Sequence, residues 1–313
     1  MKRFISLLLA LLMLLPVCPA LADQPKPIET IPYDELPEPR DGLHYYLLLC
    51  VDQWSGKPNN LGNTDGIVLL TLDTRAHRIM LTSIIRDALV VRPDGVIGRI
   101  NYIAKNYGPE ALVKVISSHL GVKIEKYVLF DFQQVANIVD YMGGVELTVN
   151  ASEASYLRRY PLDSDQTTPK MNRAGTYLFT GRAAVIYMRI RKAGGGGDFM
   201  RTQRARTVLS TLADKCRNMS YDQARALVDS IAKNTTMTNM TMEEMVQAME
   251  QAYNLRSCTI EELRIPQDDA VSPISYAGMS VQEIDWVKSR EDMKDFLENS
   301  WLVLNDDEDD FID

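Results

Sequence analysis

Cysteine and histidine are scarce in this sequence, whose 313 residues include four cysteines and three histidines. The cysteines show none of the spacings that are typical of metal sites, and the histidines lie far apart without a partner pattern. A disulfide between Cys216 and Cys258 is one alternative in an oxidising compartment, but two separate thiols are the simpler expectation. His119 falls within a predicted helix, and we expect it at the surface rather than in a ligand set.

Two nucleotide-binding signatures are also missing, and so is an excess of positive charge. No GxxxxGK[ST] loop occurs, and no GxGxxG sequence follows a predicted strand. The glycine run over 194–197 follows a basic segment, and we interpret it as a flexible connection. Acidic residues outnumber basic ones by 42 to 34, which gives a net charge of −8. A nucleic-acid partner is not expected, because binding to a phosphate backbone needs a broad basic surface.

Long apolar runs are confined to the N-terminus. A basic start precedes an apolar run over 4–15, and the small residues Ala20 and Ala22 follow it. This layout predicts a secretory signal peptide over residues 1–22. The run is short for a membrane span, which needs about 20 apolar residues, so an uncleaved N-terminal anchor ranks second. Lipidation of Cys18 ranks third, because the valine before it is bulkier than such sites usually accept.

The rest of the chain divides by composition into three segments. Residues 23–42 carry five prolines and are predicted to form a linker. Residues 43–304 have the makeup of one globular domain, since the whole chain is 46% hydrophobic and 24% charged. Residues 305–313 form a short acidic tail that we expect to be solvated.

Strand-like and helix-like segments alternate within the domain. Apolar runs over 45–51 and 67–72 are typical of buried strands, and 109–120 has the apolar spacing of a helix. Further strands are predicted at 79–83, 127–130, 145–149, 259–265 and 275–284, and further helices at 132–142, 183–191, 198–216, 221–232, 242–253 and 289–297. This alternation predicts a single α/β domain with a layered sheet.

Two aspartates lie at the ends of predicted strands. Asp52 directly follows the strand at 45–51, and Asp65 lies just before the strand at 67–72. Strand ends meet at the edge of a sheet, where α/β proteins build their sites. Two such carboxylates are able to hold one Mg²⁺, with phosphate oxygens completing its shell. Taken alone, the pattern favours two ordinary loop aspartates.

Arginines are concentrated in three short segments. They are Arg86, Arg189, Arg191, Arg201 and Arg204, with Asp198 three residues before Arg201. If the segment 187–191 is extended, Arg189 and Arg191 leave the same face. The planar guanidinium binds phosphate in a bidentate manner, which suits a pyrophosphate. Apolar residues are interleaved among these arginines, which fits poorly with a merely solvated helix face.

Together and in this order, the motifs resemble the LytR-CpsA-Psr family. The resemblance rests on Asp52, Asp65 and the segments 83–87, 99–101, 139–145, 187–191 and 198–204, and it covers roughly residues 45–213. It implies a three-layer α/β/α sandwich around a central mixed sheet, with an apolar cavity for a polyprenyl tail. It also implies a bacterial phosphotransferase that attaches a glycopolymer from a polyprenyl-pyrophosphate carrier to peptidoglycan. Such a protein acts outside the cytoplasm, secreted or associated with the cell wall or the outer face of the cytoplasmic membrane.

Carried over residue by residue, the resemblance implies a role for each cluster. Asp52 and Asp65 match metal-associated carboxylates, so Mg²⁺ is the implied cofactor. The matched pyrophosphate-binding arginines are Arg86, Arg189, Arg191, Arg201 and Arg204. Asp87 and Asp198 are both candidates for the general base and form the implied catalytic set with Arg86. Such a set suits phosphoryl transfer, which depends on positioning and on neutralising negative charge.

The sequence departs from the family pattern at five positions. Cys50 and Gly66 replace a glycine and a threonine, and Ile85 replaces a proline. Asn63 replaces an arginine, and Ala205 stands where a glutamine usually follows the last arginine. The last two changes remove polar groups near the expected phosphate, whereas the principal acids and arginines are retained.

Two other functions would use the same residues. A pyrophosphatase acting on polyprenyl diphosphate would replace the sugar hydroxyl by water. A non-catalytic binder of lipid-linked glycan would bind the carrier without turnover. The retained acids and arginines favour an enzyme over a non-catalytic binder, and the family resemblance favours the transferase.

Overall fold

The computed structural model describes residues 24–54, 59–159, 171, 173–190, 193 and 197–306. The predicted signal peptide, the candidate site residue Arg191 and the acidic tail beyond residue 306 lie outside these ranges. Among the described residues, no helix combines the length and the apolar character needed to cross a membrane.

Within the described ranges the chain forms twelve strands and nine α-helices. The strands are β1 (Leu43–Val51), β2 (Thr64–Asp73), β3 (Arg78–Ile84), β4 (Leu89–Val91), β5 (Ile97–Arg99), β6 (Lys126–Phe130), β7 (Val145–Val149), β8 (Gly175–Phe179), β9 (Met237–Thr238), β10 (Ile260–Ile265), β11 (Val271–Tyr276) and β12 (Met279–Ile284). The helices are α1 (Ile103–Tyr107), α2 (Pro109–Leu120), α3 (Phe132–Tyr141), α4 (Ala151–Leu157), α5 (Gly181–Met188), α6 (Gly197–Cys216), α7 (Tyr221–Lys233), α8 (Met242–Asn254) and α9 (Trp286–Asp306).

Six strands form the central sheet in the order β10-β3-β2-β1-β6-β9. Strand β2 runs antiparallel to both β1 and β3, whereas β6 is parallel to β1 and β10 is parallel to β3. The sheet is therefore mixed, as expected. This pairing brings the end of β1, the start of β2 and the end of β3 to one edge, where the candidate site lies.

The two faces of the sheet are covered by different helices. Alternate residues of β1, including Leu47 and Leu49, are buried in a core shared with Leu112 of α2 and Met293 of α9. The intervening residues of β1 face α3, α6, α7 and α8 across an apolar space. The predicted three-layer α/β/α sandwich is confirmed, because successive side chains of β1 point to opposite faces of the sheet and each face packs against helices.

Local sequence signals determine where the helices begin. Four helices start with a reciprocal capping box, in which the N-cap side chain accepts from the third helical N–H and the third side chain accepts from the N-cap N–H. The N-cap residues are Asp131, Asn150, Ser220 and Thr241. Each such cap stabilises its helix by about 1 kcal/mol. The caps of α3, α7 and α8 fix three helices that line the apolar space.

Three sequence-based expectations differ from the structure. The segment 275–284 is not one strand, because Ala277 and Gly278 adopt left-handed φ values of 49° and 74° and divide a hairpin of β11 and β12. The predicted strand 145–149 is present, but it pairs with β8 outside the central sheet. His119 is buried rather than exposed, and its Nε2 accepts from the Val91 N–H at 3.1 Å.

The described part of the predicted linker packs against the domain. The Ile31 N–H donates to the Ser118 carbonyl at 3.0 Å, and the Tyr33 hydroxyl donates to the Ile124 carbonyl at 2.8 Å. Leu36 is buried. Prolines here shape an extended segment that follows the surface instead of a free tether.

Candidate functional site

Strand pairing brings the two predicted carboxylates together at one edge of the sheet. Cys50 of β1 pairs with Gly66 of β2. Asp52 comes two residues after Cys50, and Asp65 comes directly before Gly66, so both aspartates lie at the same end of this strand pair. Their carboxyl groups lie close enough that each shifts the pKa of the other. The sequence-based expectation that these two residues form one cluster is therefore matched by the geometry.

Asp65 is enclosed by arginines from two different elements. Its side chain is 4% exposed, and its Oδ2 accepts from Arg86 Nη1 at 2.7 Å. Arg201 Nη2 lies 3.1 Å from the same oxygen and also donates to the Asp65 carbonyl at 3.2 Å. Arg86 follows β3 and Arg201 belongs to α6, so Asp65 joins the sheet to the helical layer above it.

Asp52 occupies the more exposed half of the pair. It accepts from Arg189 Nη2 at 2.9 Å, and the two side chains are 31% and 41% exposed. The Arg189 guanidinium also stacks on Phe132 at 4.4 Å from the ring centroid. Because α5 continues to Met188, Arg189 lies at the end of a helix, so the condition that 187–191 is extended is not met at this residue.

The two carboxyl groups differ in acidity. Burial, together with the negative charge of Asp65, raises the pKa of Asp52. Burial alone would also raise the pKa of Asp65, but Arg201 and Arg86 outweigh it and lower that pKa. Two carboxylates in contact repel each other unless a proton or a cation lies between them. The pair is therefore a place where a cation would be stabilised.

This pair fits Mg²⁺ as a partial ligand set. Mg²⁺ prefers oxygen ligands and is commonly bound by one or two carboxylates together with substrate phosphates. Among the described residues, no group of three or more histidine, cysteine, aspartate or glutamate side chains is placed to hold a metal. The donor chemistry of Asp52 and Asp65 suits Mg²⁺, provided that other oxygens complete the shell.

Asp87 is held by arginines on two sides. It forms an ion pair with Arg99, and its Oδ2 lies 3.6 Å from Arg86 Nε. The Arg99 guanidinium stacks on Tyr102 at 5.2 Å from the ring centroid. In the sequence, Arg99 belongs to the segment 99–101 that resembles the family, but no function in the site was predicted for it. A chain of charges from Arg99 through Asp87 and Arg86 to Asp65 extends the cluster beyond the predicted residues.

Arg204 does not join the acid–arginine cluster. Its side chain is buried, with 1% of the residue exposed, and Nε donates to Glu153 Oε1 at 2.8 Å. Its Nη1 and Nη2 donate to the carbonyls of Ile190 and Ala193 at 2.9 and 3.0 Å. These partners correct the expectation that Arg204 binds phosphate: it anchors the chain that follows α5. Helical spacing from Arg201 does not reveal this, because Glu153 is distant in the sequence.

For two further predicted site residues, Asp198 and Arg191, the structure gives no side-chain contacts. Asp198 is the second residue of α6, and its side chain lies outside the described part of the structure. Arg191 lies outside the described residues.

An apolar cavity of about 480 Å³ lies between the central sheet and α3, α6, α7 and α8. Asp65, Arg86, Arg189 and Arg201 form part of its wall, and most other lining residues are apolar. The methionines in the wall are Met142, Met188, Met219, Met240, Met245 and Met249. The expected apolar cavity is thus present, with the charged cluster at one end.

Two departures from the family pattern compensate each other in space. A Cβ at Gly66 would lie 3.0 Å from the Cys50 Cβ, so the side chain on β1 occupies the room left by the glycine on β2. Burial raises the pKa of the Cys50 thiol to about 12, which keeps it protonated and unreactive. Cys50, Cys216 and Cys258 are all free thiols, in agreement with the simpler expectation.

An α/β/α sandwich with acids and arginines at one end of an apolar cavity defines a class of protein that can hold an anionic group and an apolar tail together. The model described as the LytR_cpsA_psr family matches residues 32–293 of this chain. The chain belongs to the LytR-CpsA-Psr family.

Curated relatives carry transferase and regulatory names. The polyisoprenyl-teichoic acid–peptidoglycan teichoic acid transferase TagV of Bacillus subtilis is 28% identical over 232 residues, which cover 71% of this chain and 56% of the relative. Biofilm regulatory protein A of Streptococcus mutans is 25% identical over 201 residues, which cover 60% of this chain and 48% of the relative. The chain thus spans about half the length of these two relatives.

Solved structures share the fold. The structure titled "TagT bound to LI-WTA" is 21% identical with a TM-score of 0.67, covering 88% of this chain and 96% of the other. The crystal structure of B. subtilis TagV is 22% identical with a TM-score of 0.64, covering 83% and 98%.

Proposed function

We propose that this protein is a Mg²⁺-dependent phosphotransferase that attaches a glycopolymer from a polyprenyl-pyrophosphate carrier to peptidoglycan. The observation that carries the proposal is the position of Asp65, Arg86, Arg189 and Arg201 in the wall of an apolar cavity. A polyprenyl diphosphate has the matching parts, an anionic head and an apolar tail. Family membership and the transferase names of relatives support the same reaction.

The charged cluster divides into metal-binding and phosphate-binding parts. Asp52 and Asp65 would hold Mg²⁺, which when bound neutralises negative charge on the diphosphate. Arg86, Arg189 and Arg201 bind the phosphate oxygens, to which guanidinium groups donate short, charge-assisted hydrogen bonds. In the absence of substrate these arginines are paired with the carboxylates, so the cluster is held in place before the diphosphate arrives.

The transfer breaks one P–O bond and forms another. A peptidoglycan sugar hydroxyl attacks the phosphorus atom that carries the glycopolymer, and the bond to the polyprenyl phosphate breaks. Polyprenyl phosphate leaves, and the hydroxyl proton passes to a base. Asp87 is paired with Arg99 and lies close to Arg86, which suits it to positioning Arg86, so Asp198 is the stronger candidate for the base.

This reaction takes place outside the cytoplasm, on a carrier whose tail is embedded in the membrane. The basic start and apolar run of residues 1–22 support export. The protein therefore meets the carrier at the outer face of the cytoplasmic membrane, next to the cell wall.

The proposal is tested by following the glycopolymer and the lipid in one assay. The full chain is incubated with Mg²⁺ and a radiolabelled polyprenyl-diphosphate glycan, with and without peptidoglycan. We expect label on peptidoglycan and an equal amount of polyprenyl monophosphate, both dependent on the acceptor. Monophosphate released without acceptor would indicate a pyrophosphatase, and tight binding without any product would indicate a non-catalytic binder.

A further inference from the structure

The cavity extends far past the charged cluster. Strand β2 lines it from Gly66, beside the cluster, to Leu72 near the opposite end of the strand. Six residues of strand correspond to roughly 20 Å. Tyr46 of β1 also lines this far end, and its hydroxyl donates to Gln251 of α8 at 2.8 Å. The last turn of α8 and the residues after it therefore lie where the cavity ends.

A charged residue lies in this otherwise apolar far wall. The Arg256 guanidinium stacks on Tyr253 at 4.1 Å from the ring centroid, and its Nη1 donates to the Tyr253 carbonyl at 2.8 Å. Tyr253 in turn packs edge-to-face on Tyr221 at 5.7 Å between ring centroids. We call Tyr221, Tyr253 and Arg256 the distal stack. Arg256 and Tyr253 line the cavity, both are half-buried, and the phosphoryl chemistry uses neither.

We propose that the distal stack closes the far end of the cavity and limits the length of polyprenyl tail that the cavity accepts. This inference rests on the proposed function. A hydrocarbon that extends past the stack has to displace the half-buried Arg256 side chain from the cavity wall, which sacrifices its contacts with Tyr253. The methionine side chains elsewhere in the wall are flexible and adapt to a branched tail. Tail length, rather than tail shape, is therefore what the stack restricts.

The test measures affinity as a function of tail length. Polyprenyl diphosphates with an increasing number of isoprene units are titrated into the full chain with Mg²⁺. Each unit that finds room in the cavity should raise affinity by roughly tenfold or more, because each buried methylene contributes about fourfold. For the wild type, the rise should stop at a defined tail length. For Arg256→Ala it should continue for at least one further unit, with unchanged affinity for the shortest lipids.

Two further variants complete the test. Arg225→Ala, which removes an exposed i,i+4 pair with Asp229 on α7, should keep the wild-type limit. Ala252→Phe fills the far end of the cavity and should shift the limit to shorter tails, and it also tests the idea if Arg256→Ala does not fold. The same limit in wild type and in folded Arg256→Ala or Ala252→Phe would overturn the inference, as would an equal change at every tail length. A wild type that binds no polyprenyl diphosphate would instead refute the proposed function.

Discussion

Arg189 and Arg204 have opposite surroundings although their motifs are neighbours in the sequence. Arg189 is partly exposed and pairs with Asp52 at the edge of the cavity, whereas Arg204 is buried against Glu153 and two carbonyls. We therefore expect the same substitution to affect binding of the proposed substrate at Arg189 and stability at Arg204.

Replacing Arg189 or Arg201 by lysine should weaken binding of polyprenyl diphosphate by roughly ten- to a hundredfold, because charge-assisted bonds of this kind contribute about 1.5–3 kcal/mol each. Lysine keeps the charge but loses the bidentate geometry. Binding titrations should include Arg225→Lys as the control. Arg256 is distant in the sequence from Arg189 and Arg201, but it lines the cavity and is therefore unsuitable as a control. Equal affinity of all three variants would mean that these arginines only decorate the surface.

Replacing Arg204 by lysine should reduce the free energy of unfolding by about 3 kcal/mol, because three different guanidinium nitrogens bind the three buried acceptors and a single ammonium nitrogen cannot take all three positions. Urea unfolding of Arg204→Lys and Arg225→Lys measures the difference. If Arg204→Lys is as stable as wild type but fails to bind the diphosphate, Arg204 is a ligand after all.

Asp52 is a cleaner probe of the proposed Mg²⁺ site than Asp65. Asp65→Asn should lower Mg²⁺-dependent activity, but it also leaves Arg86 and Arg201 with a neutral partner in a buried place, which lowers stability. Asp52→Asn should weaken Mg²⁺ binding by about tenfold or more and leave the urea midpoint near that of wild type. Calorimetric Mg²⁺ titration against Asp229→Asn makes the comparison. An unchanged Mg²⁺ affinity in Asp52→Asn would remove this residue from the metal site.

His119 makes stability depend on pH. Burial lowers its pKa from 6.5 to about 4; the hydrogen bond to the Val115 carbonyl opposes this shift, and the positive charge of Arg290 adds to it. The unfolded chain binds a proton near pH 6.5 and the folded one does not, so this contribution is complete above pH 6.5 and is lost as pH falls towards 4. The loss should reach about 3 kcal/mol. Urea unfolding of wild type and His119→Gln at several pH values between 7 and 4 gives the free energy of unfolding as a function of pH. This free energy should fall less steeply with decreasing pH in the variant, and an equal decrease in both proteins would contradict this assignment.

The packing of α5 against α3 positions Arg189. A Cβ at Gly181 would lie 1.9 Å from the Ala136 carbonyl oxygen, so the two helices approach backbone to backbone. Gly181→Ala should therefore push the helices apart, reduce the free energy of unfolding by about 1–3 kcal/mol and weaken diphosphate binding through Arg189. Gly175→Ala meets only ordinary contacts with Tyr177 at 3.4 Å and is the matched control. If both variants behave alike in urea unfolding and in binding, the close approach has no role in holding the site.

Helices and strands were predictable where a long segment with regularly spaced apolar residues ended at a glycine or a capping residue. The helix at 109–120 has its predicted bounds, with Gly121 in a left-handed conformation after it. The hairpin of β11 and β12 was not predictable in this way, because Ala277 rarely adopts a positive φ and no Asn-Gly or Asp-Gly signal marks the turn. Helical spacing grouped Arg204 with Arg201, although their buried partners lie on different elements.

At the scale of the molecule, the sequence and its family resemblance led to the layers, the acidic pair and the existence of an apolar cavity. They did not lead to its length or to the residues at its far end. Arg256 carries no motif, and its place in the cavity wall depends on how α8 crosses the end of the sheet. Such a contact depends on the packing of segments that are distant in the chain, so it leaves no local pattern in a single sequence.

The most direct test of the account is a crystal structure of the protein soaked with a polyprenyl diphosphate and Mg²⁺. The account predicts the diphosphate within hydrogen-bonding distance of Arg86, Arg189 and Arg201, a metal ion on Asp52 and Asp65, and the tail between the sheet and α6. Diphosphate density away from these arginines, or a tail lying outside the cavity, would contradict it.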